Sequence, residues 1–423
     1  MARRPRIFWA LVLASLNCAE PALAAGPLPD PGRPIATSAY SIDFFQGPVL
    51  DSVRVTSLAG AYAPIAEGVE GMRVNTAAPA VRPLHSYKRT DYDLSLSFTS
   101  PGTLKNTDFD NNGVPGFTYT SFLFSEVGAL VQTGSWGFGL ALSSQHYVLG
   151  QPGDAVRPDQ TLDVSLGRVN LQAARAFLGG ELIAGAGFRG VLLDMSITTP
   201  DAEEITVAHL EGGSPELGLL WTPHHLPLRV AVSGRTRVRG GVQEDSPGKP
   251  DEQGDLRVDG RYLPSTIELP WEFELGFAYQ LGPRPLNAPW PLPREQYKAL
   301  PRSKVLLTSS LLVSGPASNA IGVEAFLAQR VERSGQRTTA TPRLGVEAEP
   351  VEGWLQVRAG SYLEPSRYQG RPARLHGTLG VEARVFPWSV FGLLEDDTWW
   401  RISGFLDTSA RYLSWGLSAG IWH

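Results

Sequence analysis

Ser57–Pro83 reads SLAGAYAPIAEGVEGMRVNTAAPAVRP. It is dense in glycine and alanine, and its apolar residues keep neither a period of 2 nor one of 3.6, so it builds neither a regular strand nor an amphipathic helix. Small side chains let a backbone lie close against another surface. A compact irregular segment placed just ahead of a long series of alternating strands reads as a plug, not as part of a wall.

Downstream, Asp91–Ser100 alternates strictly, with Tyr92, Leu94, Leu96 and Phe98 on one face and Asp93, Ser95, Ser97 and Thr99 on the other. Trp136–Val148 sets Trp136, Phe138, Leu140 and Leu142 against Gly137, Gly139, Ala141 and Ser143. That second face has almost no volume. A packed sandwich needs bulk in its interior, whereas a lumen that must hold a plug or a ligand gains room from small residues. Further alternating segments lie near 117–131, 160–175, 181–197, 213–222, 227–239, 264–281, 303–314, 340–350, 353–363, 374–387, 398–408 and 411–422. The total is about fourteen strands, an even count that returns both ends of an antiparallel barrel to one side.

Connections at 133–135, 177–180 and 350–353 are short, as periplasmic turns are, and those at 101–116, 149–159, 198–212, 240–262 and 364–373 are long. The Pro-rich link 282–303 breaks the rule on the short side, and the tight last hairpin breaks it on the long side. Asn319–Val331 has helical spacing at Ile321, Ala325, Phe326 and Gln329 and reads as a helix within an outer loop.

The N-terminus has Arg3, Arg4 and Arg6, an apolar run Ile7–Leu16 and the small-residue site Ala22–Ala24, which describe a secretory signal peptide over residues 1–24. Residues 25–88 then form a periplasmic lead and lumenal hatch, and 89–423 the barrel. Cys18 is the only cysteine and falls within the signal peptide, so no disulfide supports the mature fold. No later apolar run is long enough for a transmembrane helix, which leaves the barrel as the way to cross a membrane. A formal net charge of −5 gives no reason to expect nucleic acid as a partner.

The strand at 227–239 carries the sharpest polar pattern. With Leu228, Val230 and Val232 outward, Arg229, Arg235, Arg237 and Arg239 share the lumenal face. A guanidinium fork fits a carboxylate. The neighbouring strand, with Ile267, Leu269, Trp271, Phe273 and Leu275 outward, places Glu268, Glu272 and Glu274 beside those arginines, so the column either anchors a ligand or completes a polar wall. Arg358 has the same pair of readings, its partner being Glu347. In the plug, Glu67, Glu70 and Arg73 read as a latch against lumenal charge or as solvated residues. Asn75 reads as a cap on a local turn.

Asp108, Asp110 and Asn112 fit the start of a calcium loop, but Tyr119 occupies the position that needs a bidentate glutamate, and a turn of this composition needs no metal. Gly416–Gly420 matches G-x-S-x-G within a strand, where a nucleophile elbow has no room. The sequence thus predicts no cofactor, no metal and no enzyme. Trp271, Trp399, Trp400, Trp415 and Trp422 are candidates for the membrane girdles.

The run Leu58–Val81 resembles the N-terminal hatch of the FadL family of outer-membrane transporters for long-chain fatty acids and other hydrophobic compounds. Asn75 and Ala77 match the Asn and Ala of that family's Asn-Pro-Ala motif, with Thr76 in place of its Pro. Leu263–Leu281 and Arg343–Pro365 are similar to later stretches of the family. The resemblance implies a monomeric all-β outer-membrane barrel with a lumenal plug. It further implies capture of a hydrophobic small molecule at the outer loops, transfer to a lumenal pocket, a shift of the hatch at Glu67, Asn75 and Ala77, and release through the wall. Arg235, Arg237, Arg239 and Arg358 are then the ligand-binding candidates, and outer-membrane lipid is the surrounding partner. The rival expectation is the same barrel acting as a scaffold for envelope proteins through its long loops, without transport.

Overall fold

The computed structural model describes residues 28–422 apart from 102–106, 115, 152–159, 199–203, 242–253, 259, 390 and 392–397. The signal-peptide segment and Cys18 lie outside the described residues. Fourteen strands close into one antiparallel barrel. They are β1 Thr90–Pro101, β2 Thr118–Thr133, β3 Trp136–Gln151, β4 Gln160–Phe177, β5 Leu182–Thr198, β6 Glu204–Trp221, β7 Leu228–Arg235, β8 Glu272–Leu281, β9 Val305–Ser314, β10 Thr339–Val351, β11 Leu355–Glu364, β12 Arg374–Pro387, β13 Trp399–Ser409 and β14 Tyr412–Trp422. Each pairs with the next, and β1 pairs with β14, Leu96 opposite Ala419, to close the ring.

The alternation read from β1 and β3 is the division between outside and inside. Tyr92, Leu94, Leu96 and Phe98, with Trp136, Phe138, Leu140 and Leu142, are each 41–51% exposed, whereas Ser95, Ser97, Thr99, Ala141 and Ser143 are buried. An apolar exterior of this extent is satisfied by lipid, and the chain is a transmembrane barrel of the outer-membrane type. No helix among the described residues is long and apolar enough to cross a membrane. With the short Thr133–Trp136 turn at the periplasmic end, Thr90 and Trp422 lie at that end too. Trp136, Trp221, Trp354 and Trp388 are exposed there and form a girdle. Trp422 faces the lumen and is buried, so it is not a girdle residue, and Trp399 is half-buried, its ring 6.0 Å from that of Trp354.

The plug sits inside the barrel as two short helices, α1 Val53–Ser57 and α2 Gly68–Met72, and a 3-10 turn at Ala78–Ala80. Ser52 caps α1 by accepting from the Val55 amide. Leu58, Ala59, Ala61, Tyr62, Ala63 and Ala66 are wholly buried. The small wall residues make this approach possible. A Cβ on Gly137 would lie 1.8 Å from the Pro79 carbonyl oxygen, and one on Gly185 would lie 1.9 Å from that of Thr76. Polar wall residues then satisfy the hatch backbone: Gln132 Nε2 donates to the Pro79 and Val81 carbonyls (3.0 and 2.6 Å), Gln172 Nε2 to Met72 (2.6 Å), and Thr308 Oγ1 to Ala61 (2.6 Å).

The outer half of the lumen has a different filling. Inward residues of β3–β6, among them Leu149, Leu162, Leu166, Leu193 and Ile197, are fully buried against a small five-stranded sheet. Its order is Arg333–Ser334, Ala320–Ile321, Ser41–Asp43, Thr266–Leu269 and Val238–Gly241. This sheet corrects two sequence expectations. Segments 227–239 and 264–281 are not single wall strands: both leave the wall at the same level, where Arg235 pairs with Glu272, and turn inward. Pro270 has no N–H to donate to the ladder and ends the wall strand. Ile267 and Leu269 are consequently buried rather than lipid-facing.

Three further boundaries move. β6 begins at Glu204 rather than at 213. The helix expected over 319–331 narrows to a short segment at Val323–Ala328 and follows the inner strand Ala320–Ile321. The lead is not at the periplasmic end. Residues 28–35 lie at the outer mouth, where Gly32 N donates to Val331 O (2.8 Å), Ile35 N donates to Gln329 O (3.0 Å), and Leu28 and Ile35 join the outer apolar cluster. The Pro-rich link contains α3, Arg294–Ala299, at the periplasmic end, and the outer-loop helix Val323–Ala328 is α4.

Replacing Gly137 or Gly185 by valine should displace the hatch while the barrel still forms, because the added carbon meets backbone that cannot step aside. The measurement is proteolysis of the hatch in refolded protein, expected to speed up for both variants. Gly377→Ala, with open space around its Cβ position, should behave as wild type.

Candidate functional site

Three pockets follow one another from the outer mouth to the hatch. The outer one, of about 660 Å³, is lined by Pro31, Val114, Phe117, Ala325, Ala328 and Val331, with Arg330, Arg333 and Arg371 at its margins. It shares Tyr368 with a narrow neck of about 30 Å³ walled by Phe44, Phe45, Phe109, Tyr119 and Tyr147. The neck shares Phe44, Phe45 and Gln46 with a lumenal cavity of about 140 Å³, whose floor is the hatch at Val49, Leu50, Val55 and Val74. A further space of about 170 Å³ lies below the hatch at the periplasmic end.

The lumenal cavity is ringed by charge. Arg235 meets Glu272 (2.9 Å) and Glu216 (3.5 Å), Arg189 faces the same two carboxylates (3.6 and 3.8 Å), Arg343 meets Glu274 (3.4 Å), and Arg73 meets Glu126 (3.1 Å) and Asp51 (3.6 Å). Arg168, from β4, differs from these. Among the described residues its polar contact is Gln46 Oε1 at 3.4 Å, and no carboxylate pairs with it. Its head lines the cavity where the apolar face of β4, ending at Leu166, gives way to Asn170 and Gln172.

The sequence candidates divide on this geometry. Arg235 lines the cavity but is held by two carboxylates and by the backbone of Arg73 and Val74. Arg237 and Arg239 have left the wall and both pair with Glu268, at 2.7 and 2.8 Å. Arg358 lies on the other side of the hatch, between Glu347 (2.7 Å) and Glu382 (3.1 Å). Sequence reasoning missed Arg168. The signal was its parity: it shares a face with Leu162, Val164 and Leu166 and is the charged residue on that face of β4.

The hatch residues meet the wall. Glu67 pairs with Arg229 (2.9 Å) and Arg54 (3.6 Å), Glu70 with Arg401 (3.6 Å), and Arg54 grips Glu347 with both Nε and Nη2 (2.9 and 3.0 Å). Burial alone would raise the Glu67 carboxyl, but Arg229 and Arg54 outweigh it and hold it below the ordinary range. Asn75 accepts from the Ala77 amide (3.0 Å), the cap read from sequence, and its Nδ2 also donates to Ala63 and to Leu219 of β6 (3.3 Å each). Thr76, in the position of the family proline, donates through its hydroxyl to Gly185 of β5 (2.9 Å). Ala77 is fully buried.

At the outer mouth the Asp108, Asp110 and Asn112 turn is held by its own amides: Asp108 accepts from Asn112 N and Gly113 N (3.0 and 3.1 Å). It docks on α4 and on the β11–β12 loop. Asn112 Nδ2 donates to Glu324 (2.7 Å), Tyr119 OH donates to Glu324 (2.9 Å), and Tyr368 OH donates to Asp110 (2.6 Å). Burial pushes Asp110 up to about 7, the Tyr368 bond opposing and the Asp108 and Glu332 charges adding to the rise. Burial and the Asp110 charge raise Glu324 as well.

No protein-family model and no curated protein matches this sequence. Solved structures do match. A Pseudomonas aeruginosa FadL homologue is 10% identical, with 90% of this chain and 99% of that chain covered at a TM-score of 0.54. The P. putida toluene transporter TodX is 10% identical, over 88% and 97%, also at 0.54. The monoaromatic hydrocarbon channel CymD is 12% identical, over 88% and 96%, at 0.50. The chain therefore has the FadL-type fold, a barrel of the Gram-negative outer membrane.

Because the Asp110 and Glu324 carboxyls are raised in the folded state, the stability they confer is present below the ordinary carboxyl range, about 4, and is lost at higher pH, for Asp110 as pH rises through about 7. Amide exchange in 107–114, corrected for its intrinsic pH dependence, should be faster at pH 8 than at pH 5.5. Asp110→Asn should flatten that difference.

Proposed function

We propose that this chain admits hydrophobic small molecules with an acidic head, long-chain fatty acids or similar compounds, across the outer membrane under the control of its hatch. The observation that carries the reading is Arg168. A guanidinium without a carboxylate partner, facing a cavity just below a mostly apolar wall in which Gln145 is a buried polar residue, offers an amphiphilic anion one charge-assisted site for its head and an apolar bed for its chain. The fold adds support, since proteins that share it include a toluene transporter and monoaromatic hydrocarbon channels.

The pockets suggest the order of events. A molecule collects in the apolar outer pocket, passes the aromatic neck and reaches the lumenal cavity above the hatch. In the structure described both closures are shut. A neck of about 30 Å³ is far below the roughly 150 Å³ of an apolar cavity that binds benzene, and the hatch seals the cavity floor. Passage then requires that ligand bind the state with Phe44, Phe45 and the hatch displaced better than the state described. The ion pairs of Glu67, Glu70 and Arg73 with the wall are the contacts that such a displacement breaks.

The test is calorimetric binding of oleate and of toluene to refolded protein, with Arg168→Gln and Arg237→Gln as variants. Oleate should bind and lose about tenfold or more in affinity with Arg168→Gln, the worth of a charge-assisted hydrogen bond. Arg237→Gln should leave it unchanged, since Glu268 already occupies that arginine. Toluene binding without oleate binding would overturn the acidic class, and oleate binding indifferent to Arg168→Gln would overturn the head-group site.

A further inference from the structure

The link Gly282–Lys304 is the longest connection at the periplasmic end of this barrel, ahead of 388–398, and the route for a ligand does not explain it. It lies across the periplasmic mouth with most of its residues exposed or half-exposed. Leu286 and Asn287 are its two buried residues. Both offer an acceptor to Arg229 of β7, whose guanidinium makes four hydrogen bonds, at least one from each nitrogen. Its Nε donates to Asn287 Oδ1 (2.8 Å) and its Nη2 to the Leu286 carbonyl (3.0 Å). Its Nη1 donates to the Ile65 carbonyl and to Glu67 Oε1 (2.9 Å each). One side chain of the wall therefore holds the strap with one half of its fork and the middle of the hatch with the other.

Asn287 is fixed in turn by donating to the carbonyls of Pro223, Leu226 and Leu228 (2.9, 3.1 and 2.9 Å), so the strap is anchored to the β6–β7 turn. A second grip falls on the segment by which the hatch leaves the lumen. The Arg82 guanidinium lies over the Trp290 ring at 4.4 Å, Arg294 over Tyr87 at 5.6 Å, and His85 meets Tyr297 edge-on at 6.3 Å. Between strap and hatch remains a space of about 190 Å³ bounded by Val81, Ile183, Leu286 and Trp290, with the buried Trp290 Nε1 lacking an acceptor.

We propose that Gly282–Lys304 is a periplasmic clamp on the hatch, with Arg229 as the positioning residue that joins the two, so that hatch displacement and strap release are one event. The clamp rests on the reading of the plug as a movable hatch. A hatch that leaves its seat withdraws Ile65 and Glu67 from Arg229, and the unpaired guanidinium then has no reason to hold Leu286 and Asn287 in place. The coupling runs both ways, since loosening the strap removes two of the bonds that orient Arg229 toward the hatch.

The test uses refolded protein in detergent and in liposomes, without any transported ligand. Asn287→Ala should speed amide exchange of hatch residues 62–72 by about tenfold and raise leakage of a small sugar, with exchange in β2–β5 unchanged. Arg229→Lys, which keeps a charge opposite Glu67 but lacks the fork, should move both readouts in the same direction. A purely local role would quicken exchange only in 222–229 and 282–304; hatch exchange and leakage that stay at wild-type values in both Asn287→Ala and Arg229→Lys would overturn the clamp. Failure of oleate or toluene to bind would leave these readouts untouched, so the clamp and the uptake reading stand or fall separately.

Discussion

The close approach of hatch main chain to a wall stripped of side chains is the contact on which the rest of the architecture depends. At Gly137 and Gly185 a single added carbon would collide with the main chain of Pro79 and Thr76, and at Gly380 with the Ser57 side chain. The strands on either side keep their outward Trp, Phe and Leu residues, so the wall is thick toward lipid and thin toward the lumen. This asymmetry gives a 14-stranded barrel room for more than a row of inward side chains. It also creates a debt of hydrogen bonds, because an irregular hatch backbone packed against the wall has carbonyls that no ladder satisfies. Gln132, Gln172, Thr308 and Thr378 discharge it, each donating to a hatch carbonyl.

The charges add register more than net stability. Taking Glu347, Arg54 and Arg358 out of water together costs desolvation that their mutual attraction about offsets, whereas removing one member of such a buried set costs about 3–5 kcal/mol. The hatch can therefore sit only where its charges meet theirs: Arg54 on Glu347, Glu67 on Arg229, Glu70 on Arg401, Arg73 on Glu126.

Much of this was legible in the chain because two rules of the barrel are strictly periodic. Alternation in Asp91–Ser100 and Trp136–Val148 separated lipid face from lumen face residue by residue, and the smallness of the second face announced an occupant. Legibility failed where the chain leaves the period without changing its composition. Segments 227–239 and 264–281 continue to alternate after they have turned into the lumen, so Arg237, Arg239, Ile267 and Leu269 were read on the wall. Only the inward partners Ser41–Asp43 and Ala320–Ile321, far off in sequence, show where that alternation is used. The same limit hid Arg168. Its parity was plain, but that it alone of the described arginines lining the cavity lacks a carboxylate partner depends on which carboxylates the barrel's curvature brings near the others.

The two fillings of the lumen follow from one another. The outer half of β3–β6 turns an apolar face inward, which in an empty lumen would face water, so it is covered by the lead and by the small sheet, and these reduce the way in to the Phe44 and Phe45 neck. The inner half turns glycine and polar residues inward and is covered by the hatch. Between the two coverings the mismatch is not fully closed, and the cavity at Arg168 is what remains. An apolar boundary above, a polar one below and a cation without a carboxylate partner at their junction are the features on which the proposed binding of an acidic amphiphile rests.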